Sequence, residues 1–342
     1  MKYLLIYNVL LVLSPAISAQ ELRYLDSSKS SVSFRGISVV NENTIWVSGS
    51  SGTICRTTDG GKTWQWVNPK GFENRDFRDI HGYDDQRAIA LAIDSPGLLI
   101  RSTNGGQSWQ TVYRSDEAGI FLDALDFEGP RGIAIADPIN GRFRIVYTLD
   151  SGKIWRKLPN ALSPEAKPGE ALFAASGQNL LMGEYEDDFV FSFVTGGTAA
   201  RLFVCSQTRG CAPPFVLPIV QGGTMTGANG MMHFAEAPFV FGGNYERPDA
   251  SDSTLCFTDF TGQPAALASP IGYVSSATSV QDSLVVLTGL KGVAVGTRRF
   301  SNKQWTLEDF RMLSNVGFHT SGSAGKRVYL AGSRGRIALL IF

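Results

Sequence analysis

Short apolar stretches that end in glycine or another small residue recur along this chain, at 44–49, 88–93, 239–243, 284–289 and 328–332. Each has the length of one β-strand, and polar, glycine-containing turns separate it from the next. The stretches belong to a larger unit whose first strands are expected to begin at Phe34, Phe77, Phe121, Gly169, Gly227, Gly272 and Gly317. Most of these starts lie about 45 residues apart, the length of four short strands with their turns. Seven such units predict an all-β chain folded as a seven-bladed β-propeller. The step from Gly169 to Gly227 is longer and contains Cys205 and Cys211, which predicts one blade with an insertion there. The last unit stops one strand short. Residues 22–26 are expected to supply the missing strand by pairing with the final blade, because an open ring would leave an unpaired sheet edge.

The first residues follow a different pattern. Lys2, an apolar run at 3–13, Pro15 and the small residues at 16–19 predict a signal peptide over 1–19, followed by a single propeller domain over 20–342. The run is short for a membrane span, and no later stretch is long and apolar enough for one. A secreted or periplasmic location is expected. In that setting Cys205 and Cys211, either side of a small polar segment with a glycine, are a disulfide candidate, and Cys55 and Cys256 are expected to be buried small hydrophobes. Lys plus Arg equals Asp plus Glu at 31 each, so the overall charge gives no basis for capturing nucleic acid. There is no Cys-x-x-Cys, and the three histidines, His81, His233 and His319, lie far apart, so no metal site is expected. No cofactor motif appears, and a monomer is expected.

Three segments repeat one pattern, (Ser/Thr)-x-(Asp/Asn)-x-Gly-x-x-Trp. Their defining residues are Asp59, Gly61 and Trp64, then Asn104, Gly106 and Trp109, then Asp150, Gly152 and Trp155. Asp or Asn accepts backbone N–H bonds in a tight turn, glycine takes positive φ, and tryptophan covers the turn with a large apolar surface. The recurrence of the same element argues for a structural rather than a catalytic role for these acids. After Trp155 the pattern decays to remnants at 257–259 and 302–305. The three segments resemble the Asp-box, or BNR, repeat of sialidases, sortilin-type receptors and the photosystem II stability/assembly factor family. Their spacing and the Phe34-Arg35-Gly36-Ile37 and Phe77-Arg78-Asp79-Ile80 strand starts look most similar to that last family and its non-photosynthetic bacterial relatives. The resemblance implies a scaffold that holds a partner polypeptide.

In a propeller the starts of the first strands and the loops between second and third strands meet at one mouth of the central channel. Repeat counting puts Arg35, Arg78, Asp79, Asp123, Glu170, Asn229, Tyr273 and His319 at the strand starts. It puts Asp94, Asp137, Asn140, Glu184 and the run Asn244, Tyr245, Glu246, Arg247 in the loops. Arg35 and Arg78 are expected to pair with Asp79 and Asp123 across neighbouring blades in a mixed-charge ring. Three functions stay open. The first is a non-catalytic scaffold that binds another protein or a polar ligand at this face. The second is a sialidase-like glycoside hydrolase drawing on Arg35, Arg78, Asp123, Glu170 and Tyr273, although Gly36 interrupts the start motif and no strong third arginine is visible at a strand start. The third is a cofactor-dependent oxidoreductase, for which no dinucleotide or haem motif speaks.

Overall fold

The computed structural model describes residues 22–342 except 186–187, 235–236, 259–263, 282 and 302–303. The expected signal peptide, 1–19, and parts of the two pattern remnants, Asp259 and Asn302-Lys303, lie outside the described residues. Among those residues there is no helix, and seven antiparallel sheets form seven blades in a ring.

Blade 1 is Phe34–Val39, Ile45–Gly49, Ile54–Thr57 and Gln65–Trp66, each strand pairing with the next. Blades 2 and 3 begin with Phe77–Gly82 and Leu122–Glu128, and blades 5 and 6 with Thr226–Phe234 and Ser276–Val280. The seventh blade has Thr320–Ala324, Arg327–Ala331 and Ile337–Ile341, and its fourth strand is Arg23–Asp26 from the other end of the chain. Arg23 lies opposite Leu339 and Tyr24 opposite Ala338, so the ring closes as expected. Closure also fills interfaces, since Leu22 packs into the core between blades 6 and 7 and Leu25 into that between blades 7 and 1.

The inner strands are buried on both faces. Ile45–Gly49 and Ala88–Ala92 are buried at every position. That explains why the sequence shows continuous apolar runs rather than alternation. Seven hydrophobic clusters occupy the described residues, one between each pair of neighbouring blades, such as Trp46, Ile54, Phe77 and Ala90 between blades 1 and 2.

Blade 4 corrects the sequence reading. Its first strand is Leu180–Tyr185, not a strand at Gly169. Gly169 precedes the short strand Glu170–Ala171, which pairs with Gly196–Gly197 and through it with the sheet of blade 5. The Cys205–Cys211 loop is no insertion. It is the blade's own turn from third to fourth strand, with Cys205 opposite Cys211 and the two joined by a disulfide. The surplus length lies before the blade, in the long connection from Arg156–Lys157 to Leu180. Cys55 and Cys256 are free and buried, and burial pushes the Cys256 thiol up to about 12.

The three repeated segments make the same turn between third and fourth strands. Thr57 Oγ1 accepts the Gly61 N–H (3.0 Å) and donates to Asp59 Oδ1 (2.8 Å), and Asp59 Oδ1 accepts the Thr63 N–H (2.9 Å). Ser102 with Asn104, and Thr148 with Asp150, repeat these bonds. Hydrogen bonds from the Thr63 side chain, the Thr63 amide and the Thr57 hydroxyl hold the exposed Asp59 carboxyl down at about 2. The glycine also meets the preceding blade. At Gly106 φ is +80° and a Cβ would fall 2.6 Å from Val67 Cβ, so only glycine fits both the turn and the contact. Blade 4 keeps this turn in a form the sequence pattern missed. Ser206 Oγ accepts the Thr208 and Arg209 amides, and Ser206 and Thr208 both donate to Asp188 Oδ2, a carboxylate from the neighbouring second strand. The acid has moved to another strand, so no linear motif reveals it.

Candidate functional site

Arg35, Arg78, Asp123 and Asn229 occupy equivalent positions. Each is the extra residue of a β-bulge in the first strand of its blade, after Phe34, Phe77, Leu122 and Ala228. A bulge leaves one residue out of the ladder and re-aims its side chain. An inner strand buried on both faces can thereby place a polar group at the channel mouth.

The four then diverge. Arg35 has no hydrogen-bond or ion-pair partner among the described residues. Arg78 Nη1 donates to the Ala174 carbonyl at 3.2 Å and Nη2 lies 3.7 Å from Asp76. Burial and then Arg35 lower the Arg78 pKa from its ordinary value. Asp123 is fully buried and neither carboxyl oxygen makes a good hydrogen bond. Burial, with Asp137 nearby, pushes its pKa well above the usual carboxylate range. Asn229 Nδ2 donates to the Val274 carbonyl at 3.0 Å and ties blade 5 to blade 6.

The expected ring of Arg–Asp pairs does not form. The buried Asp79 carboxyl accepts backbone amides instead, Ile80 on its own strand and Leu125 on blade 3, both at 2.8 Å. Asp126 repeats this with Phe127 and with Met182 of blade 4. Asp137 Oδ1 accepts the Leu172 amide at 2.8 Å. Burial raises Asp79 to about 8 and Asp126 and Asp137 to about 6. These acids act as staples between neighbouring stretches of backbone. Asp94 and Asn140 are turn residues with φ of 65° and 53°. Asn140-Gly141 closes the hairpin of Arg131–Ile139 and Arg142–Thr148.

Two assignments are overturned. Glu170 does not face the channel. It is 4% exposed, and its carboxylate binds Arg201 Nε at 2.8 Å, Arg201 Nη2, Thr195 Oγ1 at 2.6 Å and the Lys167 amide at 2.8 Å. Glu184 lies in the first strand of blade 4, close to its junction with the second, and not in a second-to-third loop. Both errors follow from the mistaken start of that blade. The Glu170 carboxylate is thus engaged by Arg201, Thr195 and Lys167, and the groups that act on Tyr273 are Arg35 and Tyr245.

His319 is 6% exposed, and its Nδ1 has no partner. Burial, then the charges of Arg35, Arg78 and Arg336, depress its pKa to about 3, so the imidazole is neutral. Arg336 escaped the sequence reading. It sits in the second-to-third loop of blade 7, donates to the Ser333 carbonyl at 3.0 Å and lies over the Phe318 ring at 5.6 Å. Counting that loop as carefully as the others is the signal that would have found it. On blades 5 and 6, Tyr245 meets the buried Tyr273 edge to face at 5.5 Å, and Arg35 is close enough to Tyr273 to act on its hydroxyl. Tyr245 is 37% exposed. Asn244 Oδ1 accepts the Glu246 and Arg247 amides, which makes the exposed Arg247 part of a tight turn.

The mouth is therefore asymmetric. Blades 7, 1 and 2 contribute a cationic arc of Arg336, Arg35 and Arg78 around an uncharged imidazole, and blades 5 and 6 contribute two tyrosines. Of the nearby acids, Asp79 and Asp137 are bonded to backbone amides and Asp123 is buried, while Asp76 and Asp94 lie close enough to Arg78 to offset part of its charge. Such a surface takes an anionic group attached to an apolar or aromatic one. No group of metal-ligating side chains occurs among the described residues.

No protein-family model matches this chain, and no curated protein matches it by sequence. Many solved structures share its fold. One is a structure described as YCF48 bound to D1 peptide, with a TM-score of 0.65, 15% identity and 96% of each chain covered. YCF48 from Cyanidioschyzon merolae has a TM-score of 0.58 at 14% identity, covering 94% of this chain and 98% of that one. A chain of the mitotic checkpoint complex has a TM-score of 0.65 at 9% identity, covering 100% and 98%. At such identities the likeness shows the fold alone.

Proposed function

We propose that this chain is a non-catalytic propeller that holds an acidic polypeptide segment at the channel mouth. The observation that carries the reading is the unpaired Arg35, which with Arg78 and Arg336 surrounds His319 and lies near Tyr273 of the Tyr245–Tyr273 pair. A structural neighbour solved with a peptide supports it, as does the likeness of the repeats to the Asp-box propellers of assembly factors. The test uses fluorescein-labelled peptides with acidic, neutral or basic carboxyl-terminal residues, followed by fluorescence polarisation. Acidic peptides bind and the others do not, and the affinity falls with salt. Arg35→Ala weakens binding by about tenfold, the loss of one charge-assisted contact worth about 1.4 kcal/mol. Equal binding of all three peptide classes, or an Arg35→Ala protein that binds like the native one, would refute it.

The same proposal places the protein outside the cytoplasm, with residues 1–19 removed, where the Cys205–Cys211 disulfide is stable. The intact mass of the protein from its native host should match a chain starting at Gln20. A mass that retains the apolar leader contradicts export by cleavage.

A further inference from the structure

Residues 172–179, which join Glu170–Ala171 to the first strand of blade 4, do not run over the outside of the ring. They cross its axis. On one side Asp137 of blade 3 accepts the Leu172 amide at 2.8 Å, and Arg78 of blade 2 donates to the Ala174 carbonyl at 3.2 Å. On the far side Ser176 Oγ donates to the Ser275 carbonyl beside blade 6 at 2.7 Å, and Thr320 Oγ1 of blade 7 donates to the Ser176 carbonyl at 3.4 Å. Gln178 completes the span. Its side chain accepts from Ser276 Oγ (2.8 Å) and the Ala277 amide (3.1 Å) and donates to the Ala277 carbonyl (2.9 Å), while its backbone carbonyl accepts the Met231 amide of blade 5 at 2.8 Å. The strap is thus tied to blades on opposite sides of the ring. Its closest approach is at Gly177, where φ is +78° and a Cβ would fall 2.3 Å from Asp79 Cγ. Ser176, Gly177 and Gln178 also wall a cavity of about 250 Å³ in the channel, together with His81, Asp126 and Thr278.

We infer that residues 172–179 seal the central channel, so that the arginine-lined mouth is a blind recess with the strap as its floor. A partner then docks from one face, with a chain end or a loop, and no polypeptide threads the ring. This rests on the proposed peptide-holding role only for the partner's identity. The seal itself is a property of the chain alone.

Hydrogen exchange of the full chain, read by mass spectrometry, tests it. Peptides covering 172–179 exchange as slowly as the inner strands, roughly 100-fold or more below an exposed loop. Gly177→Val, which drives a side chain into Asp79, abolishes that protection and leaves the blade strands protected. Should Gly177→Val fail to fold, Gln178→Ala removes the three side-chain bonds to blade 6 and speeds exchange at 176–178 by about tenfold. Loop-like exchange of 172–179 in the native protein overturns the inference, as does unchanged protection in the variants. A native protein that binds none of the labelled peptides removes the peptide-holding role and leaves the seal standing.

Discussion

Glu170→Ala costs about 3–5 kcal/mol of stability, because it strands the Arg201 guanidinium in the interior without its counter-charge. The Arg201 side chain is 10% exposed and that of Glu170 not at all. Arg201 also donates to the Glu165 carbonyl at 2.9 Å and stacks over Phe203 at 4.6 Å, which holds it in place. The loss reads as a lower midpoint in urea unfolding at constant slope. Replacing both partners by methionine recovers most of it, since an apolar pair of similar volume carries no desolvation cost. A Glu170→Ala protein within about 1 kcal/mol of the native one would mean that the pair contributes little. The site's position makes the effect informative. Glu170, Thr195 and Arg201 fasten the root of the strap just after Glu170–Ala171, so a variant that survives should also show faster exchange at 172–179.

The second large effect is on pH. Burial raises Asp79 to about 8. An acid whose pKa is raised by folding contributes stability that is complete below its unfolded value near 3.9 and is lost as pH rises through the folded value. Between pH 6.5 and 8 the folded protein keeps a proton on Asp79 that the unfolded chain has released, so stability falls with rising pH. Each such proton contributes about 1.4 kcal/mol per pH unit while its folded group stays protonated. The upper end of this window is the cleanest, because there Asp126 and Asp137, at about 6, have titrated and His81 and His319, depressed to about 4 and 3 in the fold and near 6.5 in the unfolded chain, are neutral in both states. Below pH 6.5 the two histidines oppose the acids, since the unfolded chain takes up their protons first. Asp79→Asn removes one titrating group and flattens the slope between pH 6.5 and 8. It also lowers the stability itself, because an amide NH2 now faces one of the two N–H donors of Ile80 and Leu125. Urea unfolding at four pH values measures both. A native protein whose stability is level or rises over that window shows that Asp79 is ionised in the fold.

The sequence by itself determined the all-β class, the seven repeats, the closing strand at 22–26 and the turns around Asp59, Asn104 and Asp150. Those features are local. Each turn is made by side chains four residues apart or fewer, and the apolar runs record strands buried on both faces. It also placed Arg35, Arg78, Asp123 and Asn229 at equivalent positions, because bulges recur with the repeat. Their roles were decided by tertiary structure alone. Asp79 finds its second donor 46 residues along the chain, Arg78 its carbonyl 96 residues along, and Thr320 its partner 144 residues back. Nothing near Glu170 indicates that its counter-charge is Arg201, and nothing in 172–179 indicates a strap, since these residues form no regular element and the bonds that carry them across the ring go to residues far away in the chain. A ring brings distant repeats face to face across its axis, and contacts made there depend on the closed geometry rather than on any pattern a single repeat carries.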